Sequence, residues 1–520
     1  MRWVLAPVLA LVSSGTAGAG CAAFSGDDDP PSGTSPQEDG GGTDGPGNTD
    51  GPVVIGQPGP LAVTINGAVR IQQGGIVKVA VKVDRAAISG DVTVRGESLP
   101  EGVASKELVL PEGKSEGEVE ISAAASAKQG PIESATIVAR ARDGRANGAK
   151  LDLFVRGVPG SRDTTYGSAG TLDLGTYPVA AVASDKYMFV TTSVLQRYDR
   201  VGTLDPAYTA DPSVMNAYQL APGPSDTLFI GGPTKKHLLA NGALDTAYGS
   251  GGASSVNPSL LLSANFANNA GELLIWGTTG NQSSVKAVKI NAAGFQAPEF
   301  NFAEWKRPGS FDHLSHMAHA LADGTFLAVM TGSKPCGASV LHILADGSLD
   351  PAFAQGAGYG DLVLSSDGTA GGGASTSVLL PTGLFVLAST NRYERYMVLK
   401  FGLDGVADAA FGDAASPAIA LSLTTHTLGQ NTSAGMDIDA QGRIVLATKT
   451  KVAGAESLAI QRLTTQGAAD TTFGTNGFVT FPSDAATVIR RVFVADGERI
   501  LVIHSTANQN GNTLISRFWM

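Results

Sequence analysis

The stretch Asp470-Thr471-Thr472-Phe473-Gly474 decides the fold, because variants of it return along the C-terminal two-thirds of the chain. Each copy has an acid, two small residues, an aromatic residue and, in several copies, glycine. The acid and aromatic positions are Asp163 and Tyr166, Asp205 and Tyr208, Asp245 and Tyr248, Asp350 and Phe353, Asp408 and Phe411, and Asp470 and Phe473. A further copy ends at Phe300 and has Ala297 in place of the acid. Successive aromatics are about 40 to 62 residues apart, which is the period of a β-propeller blade.

Short apolar runs and tight turns follow each copy of the motif. After Phe473, four apolar runs end at Trp519, and the two in the middle are joined by Asp496-Gly497, a pair suited to a hairpin turn. Residues 161–520 therefore predict a propeller of six or seven four-stranded blades. We interpret the aromatic residues as wedges between blades and the acids as acceptors of backbone N–H bonds. The competing hypothesis, that the acids converge on a metal in the channel, is weakened by Ala297.

These residues also resemble a known family. The segments DGSLDPAFAQGAGYGDLVL (346–364), QGAADTTFGTNGFVTF (466–481) and RIVLAT (443–448) are similar to the delta-60 repeats of exported proteins from myxobacteria and their relatives. The resemblance implies a propeller-like array and an exported protein. It implies no activity and no catalytic residue.

Residues 60–157 alternate apolar and polar side chains, as half-buried strands do. Six or seven such strands predict a β-sandwich. The segments SGDVTVRGESLPEGV (89–103) and KLDLFV (150–155) resemble Ig-like modules of bacterial surface proteins, which are usually spacers. An adhesive sandwich is the alternative, and it requires an exposed aromatic patch.

The N-terminus predicts export. Residues 1–21 combine Arg2, an apolar run of ten residues and a small-residue exit ending in Gly18-Ala19-Gly20-Cys21, which resembles a lipoprotein signal with Cys21 as the acylated residue. Cleavage after Ala19 by an ordinary signal peptidase is the alternative and would release a soluble protein. Residues 22–59 are rich in Gly, Asp, Pro and Ser and predict a disordered acidic linker.

The net charge of -11 comes largely from that linker, where seven acids and no Lys or Arg occur between Cys21 and Val69. The remainder is nearly balanced and has no basic stripe, so nucleic acid is an unexpected partner. Cys336 is the second of two cysteines. Once Cys21 is acylated, no internal disulfide can form.

Few residues suggest chemistry. His313, His316 and His319 form the densest histidine cluster and are the histidine candidates for a metal site, although strand geometry would point His316 away from the other two. Asp437 and Asp439 could share a strand face as a carboxylate pair. Ser115, in a Gly-x-Ser-x-Gly match, falls in a hairpin turn rather than the strand–turn–helix of a nucleophile elbow. We expect no cofactor and no catalytic residue.

The sequence thus favours an all-β protein with a disordered tether, an Ig-like sandwich and a propeller. The expected function is a cell-envelope lipoprotein, at the outer membrane or cell surface, that presents the propeller as a non-enzymatic platform for a protein or glycan ligand. Two alternatives stay open. One is an envelope hydrolase or lyase with its site in the propeller channel, and the other is an adhesin that binds through the sandwich.

Overall fold

A computed structural model describes residues 61–86, 88–175, 180–184, 186–214, 219–232, 234–254, 262–278, 284–306, 313–333, 336–365, 374–389, 396–413, 416–421, 434–483, 487–506 and 511–520. Contacts divide the chain into two units, Met1–Pro52 and Val53–Met520, and all described residues belong to the second. The predicted signal, with Cys21, and the predicted linker lie outside the described residues. Within the described part, no helix is long and apolar enough to cross a membrane.

The N-terminal part of the second unit is a β-sandwich. Its strands are β1 (Ala62–Ile65), β2 (Val69–Gln72), β3 (Ile76–Asp84), β4 (Val92–Glu97), β5 (Val103–Ser105), β6 (Leu108–Leu110), β7 (Glu116–Ala123), β8 (Gly130–Ile132), β9 (Thr136–Ala141), β10 (Ala146–Lys150) and β11 (Leu153–Arg156). They form sheets in the orders β1-β3-β7-β5, β10-β9-β4-β6 and β2-β11-β8. Alternation along β3 buries Val79, Val81 and Val83 and exposes Lys78 and Lys82, and one apolar core joins the sheets.

The C-terminal part is a propeller with seven sheets among the described residues. The strands of each blade are given from the channel outwards. Blade 1 has β13 (Ala180–Ala183), β14 (Tyr187–Thr191) and β15 (Leu195–Asp199), and blade 2 has β16 (Gln219–Pro222), β17 (Leu228–Gly231), β18 (Lys235–Leu238) and β19 (Ala253–Ser254). Blade 3 has β20 (Leu262–Ala267), β21 (Leu273–Thr278) and β22 (Val285–Ile290), and blade 4 has β23 (His313–Ala320), β24 (Phe326–Ser333), β25 (Cys336–Ile343) and β26 (Gly360–Ser365). Blade 5 has β27 (Ala374–Leu380), β28 (Gly383–Ser389), β29 (Tyr396–Phe401) and β32 (Ile419–Leu421), extended by β30 (Gly412–Asp413) and β31 (Ser416–Pro417); blade 6 has β33 (Gly435–Ile438), β34 (Ile444–Val452), β35 (Ala455–Leu463) and β36 (Phe478–Pro482); blade 7 has β37 (Val488–Ala495), β38 (Arg499–Ser505), β39 (Thr513–Trp519) and β12 (Thr171–Asp173). Short helical turns occur at Pro212–Val214, Pro224–Asp226 and Phe353–Gly356.

The first strands of the blades surround a central channel. Each contacts the first strand of the next blade, and β37 of blade 7 contacts β13 of blade 1, so the circle is closed. The all-β fold predicted from the motif is confirmed, and the described residues form seven blades rather than six.

The sequence repeat is offset from the blade by one strand. The run after Phe473 was expected to begin the last blade, but it forms β36, the outer strand of blade 6. The same offset closes the ring, since β12 precedes blade 1 in sequence and pairs with β39 of blade 7, Thr171 opposite Ser516. Just upstream, Trp519 donates its backbone N–H to Ser161, and Asp163 donates its own to Arg517. One N-terminal segment thus supplies the outer edge of the last blade.

Seven apolar clusters fill the seams between adjacent blades, and each seam contains one motif aromatic. The aromatic residues, in ring order, are Tyr208, Tyr248, Phe300, Phe353, Phe411, Phe473 and Tyr166. All seven are buried, with Phe473 fully excluded from solvent. Because each flat ring fills one seam, the period of the motif is the period of the blades.

The sandwich contacts the propeller through the C-terminal strand. The indole Nε1 of Trp519 donates to Oε1 of Gln129 in the sandwich at 2.9 Å. Phe154 of β11 packs edge-on against the same indole, with ring centroids 5.9 Å apart. An ion pair joins Arg70 to Glu498 beside this contact. The residues that close the ring therefore also hold the sandwich.

Candidate functional site

A basic side chain on the third strand of each blade accompanies the motif. In blades 1 to 6 this base stands eight residues before the acid position. Blade 7 is the exception, because its base, Arg517, pairs with Asp163 from the start of the repeat region. The contacts between base and acid are Arg197–Asp205 at 2.5 Å, His237–Asp245 at 2.9 Å, His342–Asp350 at 3.0 Å, Lys400–Asp408 at 2.7 Å, Arg462–Asp470 at 2.8 Å and Arg517–Asp163 at 2.9 Å. Blade 3, which has Ala297, keeps the base as Lys289, and that side chain pairs with Glu272 at 3.3 Å.

The motif aromatic lies against the same basic group. The distances to the ring centroid are 4.4 Å for Arg517 and Tyr166, 4.6 Å for Arg197 and Tyr208, 5.3 Å for His237 and Tyr248, 5.7 Å for Lys289 and Phe300, 5.5 Å for His342 and Phe353, 5.9 Å for Lys400 and Phe411, and 4.9 Å for Arg462 and Phe473. Base and ring are therefore a sevenfold unit, with an acid as third member in six blades. The sequence signal for the base is its fixed spacing of eight residues before the acid position.

The second oxygen of each motif carboxylate binds its own turn. Oδ1 accepts the backbone N–H two residues further on, at 3.0 Å from Ala207 to Asp205 and 3.0 Å from Ala410 to Asp408, with equivalent bonds in the other acidic copies. Both oxygens are thus used within one seam. The motif acids do not converge on the channel, so the hypothesis of a metal held there by these carboxylates is wrong.

The Lys400–Asp408 pair gives a pH-dependent prediction. Its hydrogen bond holds the pKa of the Asp408 carboxyl below the ordinary value. The unfolded chain has an ordinary Asp pKa of about 3.9, so this carboxylate stabilises the fold above that pH, and the stability is lost as pH falls through the lower folded-state pKa. We expect Asp408→Asn to lower the free energy of unfolding at pH 7 by about 0.5–1 kcal/mol.

Urea unfolding of both proteins between pH 7 and pH 3 measures this difference. It should shrink as the pH approaches the acid end of that range. Asp152→Asn, at an exposed position of the sandwich, is the matched control and should leave the free energy unchanged at every pH. A difference between Asp408→Asn and the parent that stays constant with pH would contradict the assignment.

A second group of polar residues lies on the first strands, around the channel. It comprises His319 on β23, Ser377 on β27, Asp437 on β33 and Arg491 on β37, from blades 4, 5, 6 and 7. Nε2 of His319 and Oγ of Ser377 are 2.7 Å apart. Oδ2 of Asp437 accepts the backbone N–H of Val494 on the neighbouring blade at 2.7 Å, and Oδ1 accepts that of Ile438 at 2.9 Å. We call these four residues the channel cluster.

Electrostatics link the channel cluster across the ring. Burial, and secondarily the charge of Arg491, lowers the pKa of His319 to about 4, so the imidazole is neutral at pH 7. Burial raises the pKa of Asp437, against the opposing effects of its two backbone N–H bonds and of Arg200 and Arg491. Arg491 and Asp437 therefore act on each other as the charged members of the cluster.

The other sequence candidates are dispersed. His313 and His316 belong to β23 with His319, but their side chains lie outside the described residues. Among the residues that are described, no three His, Cys, Asp or Glu side chains are placed to hold a metal ion. Asp437 and Asp439 do not form a carboxylate pair, because β33 ends at Ile438 and Asp439 turns back to bind Arg443 at 2.6 Å. Ser115 is exposed in the turn before β7.

An open cleft of about 670 Å³ lies where residues 158–161 cross the outer strand of blade 6. Gln72, Gly160, Thr475 and Phe481 are among the residues that line it, and its lining contains no acid, base or cysteine. Acid–base chemistry has no side chain to use there. The channel cluster is therefore the better candidate site.

Comparison with known proteins agrees with the propeller. Residues 441–473, which include Arg462, Asp470 and Phe473, match a family model described as "Domain of unknown function (DUF5122) beta-propeller". No curated protein sequence matches the chain. The Nup133 β-propeller domain of Vanderwaltozyma polyspora is similar at 10% identity and a TM-score of 0.30, over 66% of this chain and 97% of that one. A tetra-tandem repeat from the extending region of a large adhesion protein is 11% identical with a TM-score of 0.12, over 88% of this chain and 98% of that one. Residues 441–473 are therefore similar to a β-propeller family with delta-60-like repeats.

Proposed function

We propose that this chain is an exported lipoprotein that presents its propeller as a non-enzymatic binding or scaffolding platform at the cell envelope. The β-propeller fold suggests a binding or scaffold role. The supporting observation is that the polar residues of the propeller fall into two sets at different places. The base and acid groups of the repeat are used inside the seams, whereas the channel cluster lies on the first strands of the blades, around the channel, where propellers bind ligands.

The proposed anchor is a lipid on Cys21. The signal-like start, the cysteine and the acidic polar stretch after it support an acylated terminus, with the outer membrane or cell surface as the proposed location. The Ig-like reading of the sandwich stays a prediction and would make that module a spacer between anchor and propeller. A protein or glycan is the proposed class of partner for the platform.

The anchor is tested with Cys21→Ser in a bacterial host that processes lipoproteins. We expect the parent to enter the membrane fraction with an acylated Cys21 at its mature N-terminus, as read by mass spectrometry. Cys21→Ser should move the protein to the soluble fraction, and Cys336→Ser, the matched control, should stay with the membrane. An unmodified N-terminus at Gly20 would refute the lipid anchor and favour a secreted or periplasmic protein.

One contact favours a channel hydrolase as the second candidate. Ser377 and His319 are 2.7 Å apart, as a nucleophile and its general base would be. The pKa of His319, lowered by burial to about 4, opposes this reading, because a general base works best with a pKa near the working pH. Ester hydrolysis that is lost in Ser377→Ala would overturn the non-enzymatic proposal.

A further inference from the structure

The cleft at the joint between sandwich and propeller is large and carries no charge. Its volume of about 670 Å³ lies in the range of small-molecule pockets, about 300–1,000 Å³. The described residues that line it come from the end of β2, the connecting segment 158–161, and β36 with the turn before it. Because none of these residues is ionisable, nothing in the lining offsets the cost of removing a charged ligand from water. The cleft therefore favours a neutral ligand.

The outer edge of β36 turns backbone groups towards this cleft. The N–H of Arg462 donates to the carbonyl of Gly477 at 2.8 Å, and the register of β35 and β36 continues from there without a shift. In an antiparallel pair, alternate residues bond to the partner strand. Thr480, three residues after Gly477, belongs to the set whose N–H and C=O point away from β35. No described strand pairs with that edge of β36.

Within β36, Thr480 alone keeps both of these backbone groups available. The N–H of Phe478 donates to the carbonyl of Thr475 at 3.3 Å, and its C=O accepts the N–H of Thr475 at 2.9 Å. Pro482 has no N–H to donate. A peptide that extended the sheet would find one open N–H along this edge, so the addition of a further strand is disfavoured. The edge suits a small ligand instead.

Neutral side chains surround the cleft together with this backbone pair. The hydroxyls of Thr475 and Thr480 and the amide NH₂ of Gln72 donate to no other described residue, so they are available to a ligand. Apolar side chains, Val158 and Phe478 among them, complete the lining. An apolar ligand would displace water from the polar groups and leave them unpaired. A ligand that has both neutral hydroxyls and apolar C–H faces matches the whole lining.

We propose that this cleft binds a neutral oligosaccharide. Sugar hydroxyls exchange hydrogen bonds with Thr475, Thr480 and Gln72, and the C–H faces of the sugar rings pack on the apolar lining. The inference rests on the proposed binding role and narrows the glycan partner to uncharged sugars. The channel cluster stays the candidate site for chemistry, whereas the cleft is a site for binding alone. The sandwich contributes to it through Gln72, in addition to any role as a spacer.

The test begins with a glycan microarray probed with the full mature chain. The array carries uncharged hexose and N-acetylhexosamine oligomers beside uronic-acid and sialylated glycans, and we expect binding to uncharged members. Calorimetric titration with the glycan that binds best then compares variants. Thr480→Val removes the hydroxyl and keeps the shape of the side chain. It should weaken binding about three- to tenfold, the usual effect of losing one hydrogen bond, and so should Gln72→Ala on the sandwich side of the cleft.

The double variant Thr475→Val with Thr480→Val should weaken binding about ten- to hundredfold. Thr64→Val is the matched control, because it removes a hydroxyl from an exposed strand position outside the cleft and should bind like the parent. Equal binding of uncharged glycans by parent and double variant would overturn the cleft and leave a glycan-binding platform in place. Binding to acidic glycans alone would also overturn it. An array without any bound glycan would overturn the cleft and remove glycans as the partner class of the platform.

Discussion

Deletion of Leu514–Met520 is expected to abolish the cooperative unfolding transition of the propeller. The deleted residues form most of β39, which pairs with β38 on one side and with β12 on the other. Four of their apolar side chains, Ile515, Phe518, Trp519 and Met520, are at most 5% exposed. Losing four buried apolar side chains removes about 6–12 kcal/mol, which is comparable with the whole stability of many domains.

The deletion also opens the circle. Without β39, β12 has no partner strand, and Asp163 loses Arg517, one of the two arginines that neutralise it. Scanning calorimetry and limited proteolysis of the repeat region measure the effect. Removal of seven residues from the predicted linker, 33–39, is the length-matched control and should leave the transition in place. A truncated chain that melts like the parent would show that β39 is dispensable and that the ring is held elsewhere.

Phe411→Ala is expected to lower the free energy of unfolding by about 3–5 kcal/mol. Phe411 is 1% exposed in the seam between blades 5 and 6. Its ring meets Phe385 edge-on at 5.8 Å and lies 5.9 Å from the Lys400 ammonium. It also packs on the turn at Gly467, where φ is +86° and a side chain would meet the ring at 3.0 Å. Truncation leaves a cavity that these neighbours cannot fill.

Urea unfolding compares Phe411→Ala with Phe295→Ala. Phe295 is 56% exposed, so the control makes the same chemical change at the surface and should stay within about 0.5 kcal/mol of the parent. Similar losses in both variants would mean that Phe411 is not a seam residue. A loss confined to Phe411→Ala, together with an unchanged urea dependence, would mean that stability alone has changed.

The propeller was predictable because its signal is local. The acid and aromatic positions lie three residues apart, and turns such as Asp496-Gly497, where both residues have positive φ, mark hairpins within one blade. The offset of the repeat was not predictable, because the choice of partner for β36 depends on packing between distant segments. The base eight residues before the acid was present in the sequence, and its regularity becomes meaningful only once the ion pair is seen.

The channel cluster was beyond sequence reasoning for the same physical reason. The sequence groups His319 with two nearby histidines, but its hydrogen-bond partner, Ser377, is 58 residues away on another blade. The sequence pairs Asp437 with Asp439, but the Asp437 carboxylate accepts the backbone N–H of Val494, 57 residues further on. Arg491 belongs to no motif. These residues come from different blades and meet only when the ring closes. No spacing in the sequence predicts which of them become neighbours.

The pairing of β12 with β39 joins the strand of the propeller that is synthesised first to the strand that is synthesised last. Thr171 and Ser516 meet across 345 residues of chain. At about 5–20 residues per second, β12 leaves the ribosome roughly 17–70 s before its partner exists. During that interval the nascent protein has an unpaired strand edge, the kind of surface that invites aggregation or proteolysis. A copy that ends before β39 never loses this edge, so the codons for β39 act as a check that the propeller is complete before the protein can persist.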